Sequence, residues 1–358
     1  MKSPIPIAVV GLGRSGWAIH IAQLRKRQDF KVVDVADPDP NRLLEASQEF
    51  VCGMHPHLEA LLKRSQAEIV VIATPSHAHE HDAMAVLKSG RHCLVEKPMA
   101  MSFTGAQRMI AAARKSRRKL FVHHNYRFIH PDYPFGKEFR HLREIIDSGI
   151  LGRVFEIRHC RFGFSRRSDW QTLRRNGGGL LNNSCPHSID VILNLLDAPV
   201  VSLLGDLQHI KDAGDCEDHV HVLLKAKNGR VADMTVSTAA ALPSPKWMLL
   251  GSCGTASRDG KTTTLRYYDP KAVPELQVID GPAPDRKYGN GDVLPWKEET
   301  RPTEPLKSYG DFYDHVADVL LRSAKMEIPP EDAAEVIRIS ERTREKTKFS
   351  VVKKTRKI

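Results

Sequence analysis

Apolar and polar positions alternate in short blocks through the first third of the chain. Ile5–Val10 is a β-rich apolar run. Phe30–Ala36, Glu68–Ala73, His92–Val95 and Leu120–His123 repeat the pattern, so each predicts a buried strand. Ser15–Lys26, Ala78–Lys88 and Phe103–Arg114 lie between them with helical spacing. Strands that alternate with helices predict a doubly wound parallel sheet covered on both faces, an α/β architecture.

The pattern changes after residue 123. Lys137–Ser148 predicts a helix, Gly149-Ile150-Leu151-Gly152 a turn and Arg153–Cys160 a strand. A loop with Ser165–Arg175 leads to Gly177-Gly178-Gly179 and an apolar segment ending at Leu196. Residues 200–270 carry strand patterns broken by Asn228-Gly229, by Gly251 with Gly254, and by Asp259-Gly260, which predicts a largely antiparallel sheet. Residues 271–306, rich in Pro, Gly and charge, predict a long loop, and helices over about 309–322 and 331–346 close the chain.

Composition narrows the class. At 358 residues, 41% hydrophobic and 27% charged, the chain is a globular protein of about two domains, not a disordered chain or a disulfide scaffold. No stretch nears the roughly 18 apolar residues of a membrane helix. The net charge of +11 suggests nucleic acid until it is located: Arg342–Ile358 carries eight basic residues against Glu345 alone. We read that cluster, and a smaller one at Arg114, Lys115, Arg117, Arg118 and Lys119, as solvated surface, with neither nucleic acid nor membrane as partner. The cysteines at 52, 93, 160, 185, 216 and 253 form no CxxC pair, and free thiols predict a cytoplasmic setting. Ile5–Val10 is too short for a signal-peptide core, so no targeting segment is expected.

Gly11-Leu12-Gly13-Arg14-Ser15-Gly16 stands between the first strand and the first helix. In that context GxGxxG is a dinucleotide-phosphate loop. Gly11 permits a tight turn, Gly13 lets the main chain approach a pyrophosphate, and Gly16 lets helix and strand pack closely. The helix start offers free N–H groups to the phosphates. Asp37, 21 residues after Gly16, can accept hydrogen bonds from both adenine-ribose hydroxyls and would repel a 2′-phosphate. This predicts NAD over NADP, although Arg14 and Arg42 could each meet a phosphate. Glu96-Lys97-Pro98 follows the strand His92–Val95, beyond the carboxyl end where open parallel sheets bind ligands, so Lys97 is placed where the nicotinamide should lie. The Lys97–Pro98 bond is a natural place for a cis peptide.

GLGRSG (11–16), ADPDPNR (36–42), ATPSHAH (73–79), EKP (96–98), NYRF (125–128), GILGRV (149–154) and GGGLLNNSCPHSID (177–190) occur in that order. Together they resemble the Gfo/Idh/MocA family, the relatives of glucose–fructose oxidoreductase and inositol dehydrogenase. The resemblance implies an N-terminal Rossmann domain, here 1–123. It also implies a C-terminal α+β domain, here 124–346, whose large open sheet often forms homodimers or homotetramers. Residues 347–358 remain as a basic tail. The activity it implies is NAD(P)-dependent oxidation or reduction of a sugar, polyol or related cyclic alcohol.

By position, Lys97 is similar to the family's EKP lysine and His187 to its catalytic histidine. The family commonly has Asp four residues before that histidine, where this chain has Asn183. An imidazole suits proton removal near neutrality and an ammonium stabilises an alkoxide. Asn183 can orient a hydroxyl but carries neither charge nor proton. On one continuous helix Asn183, His187 and Asp190 would share a face, but Pro186 predicts a kink or a helix starting near Ser184 or Cys185. Thr74, Pro75, Ser76 and His79 are expected near the cofactor, with no metal despite His77, His79 and His81. Leu12, Ser15, Glu96 and Asn125 are also assigned to the cofactor. Arg127 and Trp170 join Lys97, Asn183 and His187 around a carbohydrate-like substrate. Further substrate-side candidates are Arg161, Ser165, Arg166, Arg167, Asp169 and Gln171. Two alternatives stay open: redox-neutral cleavage or elimination through a transient keto intermediate with tightly held NAD, and a non-enzymatic NAD-binding regulator.

Overall fold

Strand β1 (Ile5–Val10) lies at the centre of a six-stranded sheet. The computed structural model describes residues 3–129, 135–278, 280–282, 293–307 and 309–347. The other strands are β2 (Phe30–Ala36), β3 (Gly53–His55), β4 (Ile69–Ile72), β5 (His92–Val95) and β6 (Leu120–Val122). Their order is β3-β2-β1-β4-β5-β6 and every pairing is parallel, the doubly wound Rossmann arrangement. Alternate side chains serve opposite faces: Ala8 and Val10 enter one core, Ile7 and Val9 the other.

The helices are α1 (Gly16–Ile21, π-helical, continuing as Ala22–Leu24), α2 (Pro40–Phe50), α3 (Leu58–Arg64), α4 (His79–Lys88) and α5 (Phe103–Ser116). Of these, α2 and α3, with β3, are absent from the sequence reading. Helix α2 starts on a local device: Asp39 caps it by accepting from the Asn41 N–H at 2.9 Å, and Pro40 occupies its first turn.

Helix α6 (Phe135–Ser148) precedes β7 (Val154–Phe162), and α7 (Leu180–Asn183) with α8 (Cys185–Leu196) leads into the remaining strands. These are β8 (Val200–Gln208), β9 (His219–Ala226), β10 (Val231–Ser237), β11 (Trp247–Gly251), β12 (Gly254–Asp259), β13 (Thr262–Tyr267) and β14 (Lys297–Pro302). The eight strands run β14-β13-β12-β11-β7-β10-β9-β8, antiparallel except where β7 meets β10. Helix α8 packs Ile189, Ile192 and Leu196 on one face with Val222, Met234 and Leu249. The opposite face exposes the cross-strand pair Leu204 and Leu223.

Two expectations need correction. Residues 271–306 are not all loop, because β14 pairs with β13 at the sheet edge. Its charged, exposed sequence has no apolar alternation, and main-chain pairing alone makes it a strand. The second domain also does not keep the end of the chain to itself. Helix α9 (Phe312–Arg322) buries Phe312, Tyr313 and Val316 in a core of the first sheet. Helix α10 (Pro330–Lys346) gives Ala333, Ala334 and Ile337 to the first sheet and Val336 and Ile339 to the second. Of the basic tail, only Thr347 lies within the described residues.

Candidate active site

A cleft of about 730 Å³ opens at the carboxyl ends of the parallel strands. Gly11, Gly13, Arg14, Ser15, Asp37, Arg42, Thr74, Pro75, Ser76, His79, Glu96 and Lys97 line it from the first sheet. Arg167, Asp169, Trp170, Gln171 and Asn183 face them from the second domain. Three expected cofactor residues, Leu12, Gly16 and Asn125, lie outside this lining. Leu12 is core, Gly16 is a packing contact, and the Asn125 Oδ1 is buried without a hydrogen bond among the described residues.

The three glycines differ. Gly11 has φ +88°, and a Cβ there would sit 2.6 Å from the Ala73 carbonyl oxygen. A Cβ on Gly16 would collide with the Gly11 carbonyl. A Cβ on Gly13 would meet nothing within 4 Å, so that position is bare toward the cleft. Asp37 is buried beside the loop: its Oδ2 accepts from the Leu12 N–H at 2.7 Å and its Oδ1 from the Asp39 N–H at 2.9 Å. A carboxylate has about four acceptor positions, so capacity remains for ribose hydroxyls. Arg42 Nη1 stands 3.7 Å from Asp37 Oδ1.

His79 does not join His77 and His81 in a cluster. It is buried, with Nδ1 2.7 Å from the Pro98 carbonyl and Nε2 2.8 Å from the Thr74 carbonyl, and so ties the Thr74-Pro75 turn to the Lys97-Pro98 turn. The Lys97–Pro98 bond is cis.

Glu96 lines the cleft and also belongs to a second, buried group. Its carboxylate turns inward, with Oε1 3.1 Å from His20 Nε2 and 2.9 Å from His123 Nδ1. The Tyr313 hydroxyl lies 2.9 Å from His20 Nδ1. Burial would raise the Glu96 carboxyl, but the charge and hydrogen bonds of His123 and His20 hold it well below the usual carboxylate range. The sequence contains no local signal for this His–Glu–His grouping, since its members come from α1 and from the residues that follow β5 and β6.

Lys97, on the other side of that carboxylate, crosses to the second domain. Its Nζ donates to the Asn183 carbonyl at 3.0 Å. Burial lowers its pKa, Glu96 opposes the shift, and Arg14 and Arg161 reinforce it. Asn183 ends α7, the chain breaks helix at Ser184, and Pro186 sits in the first turn of α8. His187 therefore does not share a continuous helix with Asn183. It is buried and stacks on Tyr126 with ring centroids 4.0 Å apart and planes at 6°. Burial first, then the Lys97 charge, holds its pKa well below the ordinary value, so the ring is neutral at pH 7.

Arg127 is not placed to bind substrate. It is buried, with Nε and Nη2 gripping Asp190 at 2.8 and 2.6 Å and Nη1 reaching Asp332 at 3.2 Å and the Glu327 carbonyl at 3.3 Å. Its donors are spent joining the Asn125–Arg127 turn to α8 and α10. Asp190 accordingly holds Arg127. Trp170 is 43% exposed at the cleft wall, which fits a free ring face better than a loop anchor.

Residues 5–124 match the family described as an oxidoreductase family with an NAD-binding Rossmann fold, and residues 139–257 match the GFO/IDH/MocA C-terminal domain. The chain belongs to the Gfo/Idh/MocA family. Among its relatives is the 1-carboxy-3-chloro-3,4-dihydroxycyclohexa-1,5-diene dehydrogenase of Comamonas testosteroni, 32% identical over 235 residues. That alignment spans 64% of this chain and 57% of the relative. The scyllo-inositol 2-dehydrogenase (NADP(+)) IolW of Bacillus subtilis is 22% identical over 96% of this chain and 94% of its own. The WlbA dehydrogenase of Bordetella pertussis, solved with NADH and UDP-GlcNAcA, superposes with a TM-score of 0.73 at 21% identity, covering 96% of this chain and 95% of that one. The NAD-binding fold of the Gfo/Idh/MocA family thus coincides with the cleft built by Gly11, Gly13 and Asp37.

Proposed function

We propose that this protein is an NAD-dependent oxidoreductase acting on a carbinol carbon of a sugar or cyclic polyol. The observation that carries the reading is Lys97, anchored across the cleft on the Asn183 carbonyl with its charge acting on the buried His187 imidazole. The bare Gly13 and the start of α1 would take the pyrophosphate, and Asp37 the adenine ribose. NAD, when bound, would supply the hydride acceptor for the carbinol carbon. His187 takes the hydroxyl proton at an imidazole nitrogen. Lys97 keeps two N–H donors beyond the one given to Asn183, and with these it stabilises the alkoxide. The Asn183 amide and the Trp170 ring orient the substrate from the second domain. The names of the Comamonas and Bacillus relatives, one a dihydroxycyclohexadiene dehydrogenase and one an inositol dehydrogenase, support a ring alcohol. The exposed Leu204–Leu223 pair on the outer face of the second sheet supports a homo-oligomer formed through that face.

The test is absorbance at 340 nm with excess NAD and a panel of sugars, sugar acids and inositols. NADH should form with at least one compound, and Lys97→Met and His187→Ala should each lower kcat by about 10²–10⁴-fold. Near-normal turnover in either variant removes that residue from the chemistry. A flat trace with product seen by chromatography replaces net oxidation with a redox-neutral reaction.

A further inference from the structure

We propose that Arg161 holds a carboxylate on the substrate, so that the ring alcohol is a hydroxy acid. This deepens the reading above and rests on it for the location of the reacting hydroxyl.

Arg161 is near the end of β7. Side chains alternate along a strand, so Arg161 shares a face with Ile157 and His159. That face is the one covered by α8: Ile157 packs in the core with Ile189, and His159 Nε2 lies 2.9 Å from the hydroxyl of Ser188, the neighbour of His187. Two positions further on, Arg161 lines one hollow with His187, Tyr126, Lys246 and Trp247. Its charge is felt at Lys97, His159 and Lys246.

Among the described residues no group answers that charge. Among the described residues the Arg161 side chain makes no hydrogen bond and no ion pair. The carboxylate of the hollow, Glu138, is already shared by Lys246 at 2.7 Å and Arg258 at 2.8 Å. Glu96 is turned to His20 and His123, and Asp190 to Arg127. Arg161 is half-buried, and a cation so placed is costly to leave unpaired. An anion arriving with the substrate offsets that cost. The hollow encloses only about 20 Å³, which admits a small group and not a diphosphate. A guanidinium presents its donors as a fork that matches a carboxylate with two parallel hydrogen bonds. Held there, the acid group would fix the ring and leave a hydroxyl to Lys97 and His187.

The test is calorimetric titration of the NADH-loaded full-length protein with D-glucuronate and with 3,4-dihydroxycyclohexanecarboxylate, each beside its carboxamide. At least one acid should bind tenfold or more tightly than its amide. Arg161→Gln should erase that preference, and Arg161→Lys, which keeps the charge and loses the fork, should retain part of it. Melting curves of both variants report whether they fold, and Arg161→Lys serves if Arg161→Gln does not. Equal binding of acid and amide in both pairs overturns the proposal, as does an undiminished preference in a folded Arg161→Gln. NADH formation with the same four compounds is read separately. Acid preference without turnover keeps the carboxylate site and removes these compounds as substrates, whereas equal turnover of acids and amides keeps the oxidoreductase reading and removes the carboxylate site.

Discussion

Lys97 Nζ hydrogen-bonds the main-chain carbonyl of Asn183 at 3.0 Å, while the Asn183 side-chain oxygen accepts from Gln171 Nε2 at 3.0 Å. The anchor on Lys97 therefore survives loss of the Asn183 side chain. Asn183→Ala should raise KM and lower kcat less than about tenfold, against about 10²-fold or more for Lys97→Met. A hundredfold loss of kcat in Asn183→Ala would mean that the amide acts in the chemical step.

Asp37 stands between the glycine loop and Arg42. Asp37→Ala removes hydrogen bonds to an ionised group, worth about 1.5–3 kcal/mol each, so KM for NAD should rise about tenfold or more. Use of NADP should improve, because the repelling carboxylate is gone and Arg42 keeps only Asp39, at 3.4 Å, as a carboxylate partner among the described residues. An unchanged ratio of kcat/KM for the two cofactors would remove Asp37 from cofactor choice.

Gly13 and Gly16 separate binding from folding. Gly13→Ala points a methyl into the cleft and should weaken NAD binding while leaving the melting temperature near that of the parent. Gly16→Ala drives a methyl into the Gly11 carbonyl and should cost about 1–3 kcal/mol of stability. Equal effects of the two on melting would contradict this division.

Arg127 and Asp190 form a buried, two-pronged ion pair. Arg127→Met leaves Asp190 charged and unpaired, and should cost about 3–5 kcal/mol in denaturant unfolding. Arg127→Lys should recover little, since one ammonium cannot replace the fork. A loss below about 1 kcal/mol for Arg127→Met would show that the pair is not a structural clamp.

Stability should depend on pH through buried histidines. Burial first, with nearby positive charge, lowers His124 and His159 from 6.5 to about 4 and about 3. As pH falls below 6.5 the unfolded chain protonates these rings before the folded one does. Their full contribution is thus present above pH 6.5 and is lost toward pH 4, by about 1.4 kcal/mol per pH unit for each ring. The melting temperature should fall steeply between pH 6 and 4.5, and His159→Gln should flatten the slope. A melting temperature constant across that range would rule this out. His187 stays neutral through the same shift, so loss of oxidation rate between pH 8 and 6.5 should not follow its titration.

How much of this was legible in the sequence depends on the reach of each signal. β1, β2 and β5 match the apolar runs residue for residue, because a buried parallel strand needs only a short continuous apolar segment. Of the two outcomes Pro186 allows, a kink or a helix start, the structure has the helix start, since proline has no N–H to donate. Arg127 reads as a substrate ligand in the sequence because its true partners lie 63 and 205 residues away. The His20–Tyr313 contact spans 293 residues and leaves no local trace at all. β14 leaves no apolar pattern in the sequence, because an edge strand held by main-chain pairing needs no apolar side chains.

The sequence alone determined the alternation of strands and helices, the glycine turn with its acid just after β2, and the placing of Lys97 beyond β5. Each of these is contained within about twenty residues of chain, where backbone stereochemistry and hydrophobic period act directly. The tertiary structure decided that Lys97 is anchored on a main-chain carbonyl, that Arg127 is a clamp, and that Arg161 shares a hollow with His187 without a partner among the described residues. Whether a charge is free or spent depends on which distant groups the packing brings to it, and on how much water the packing removes.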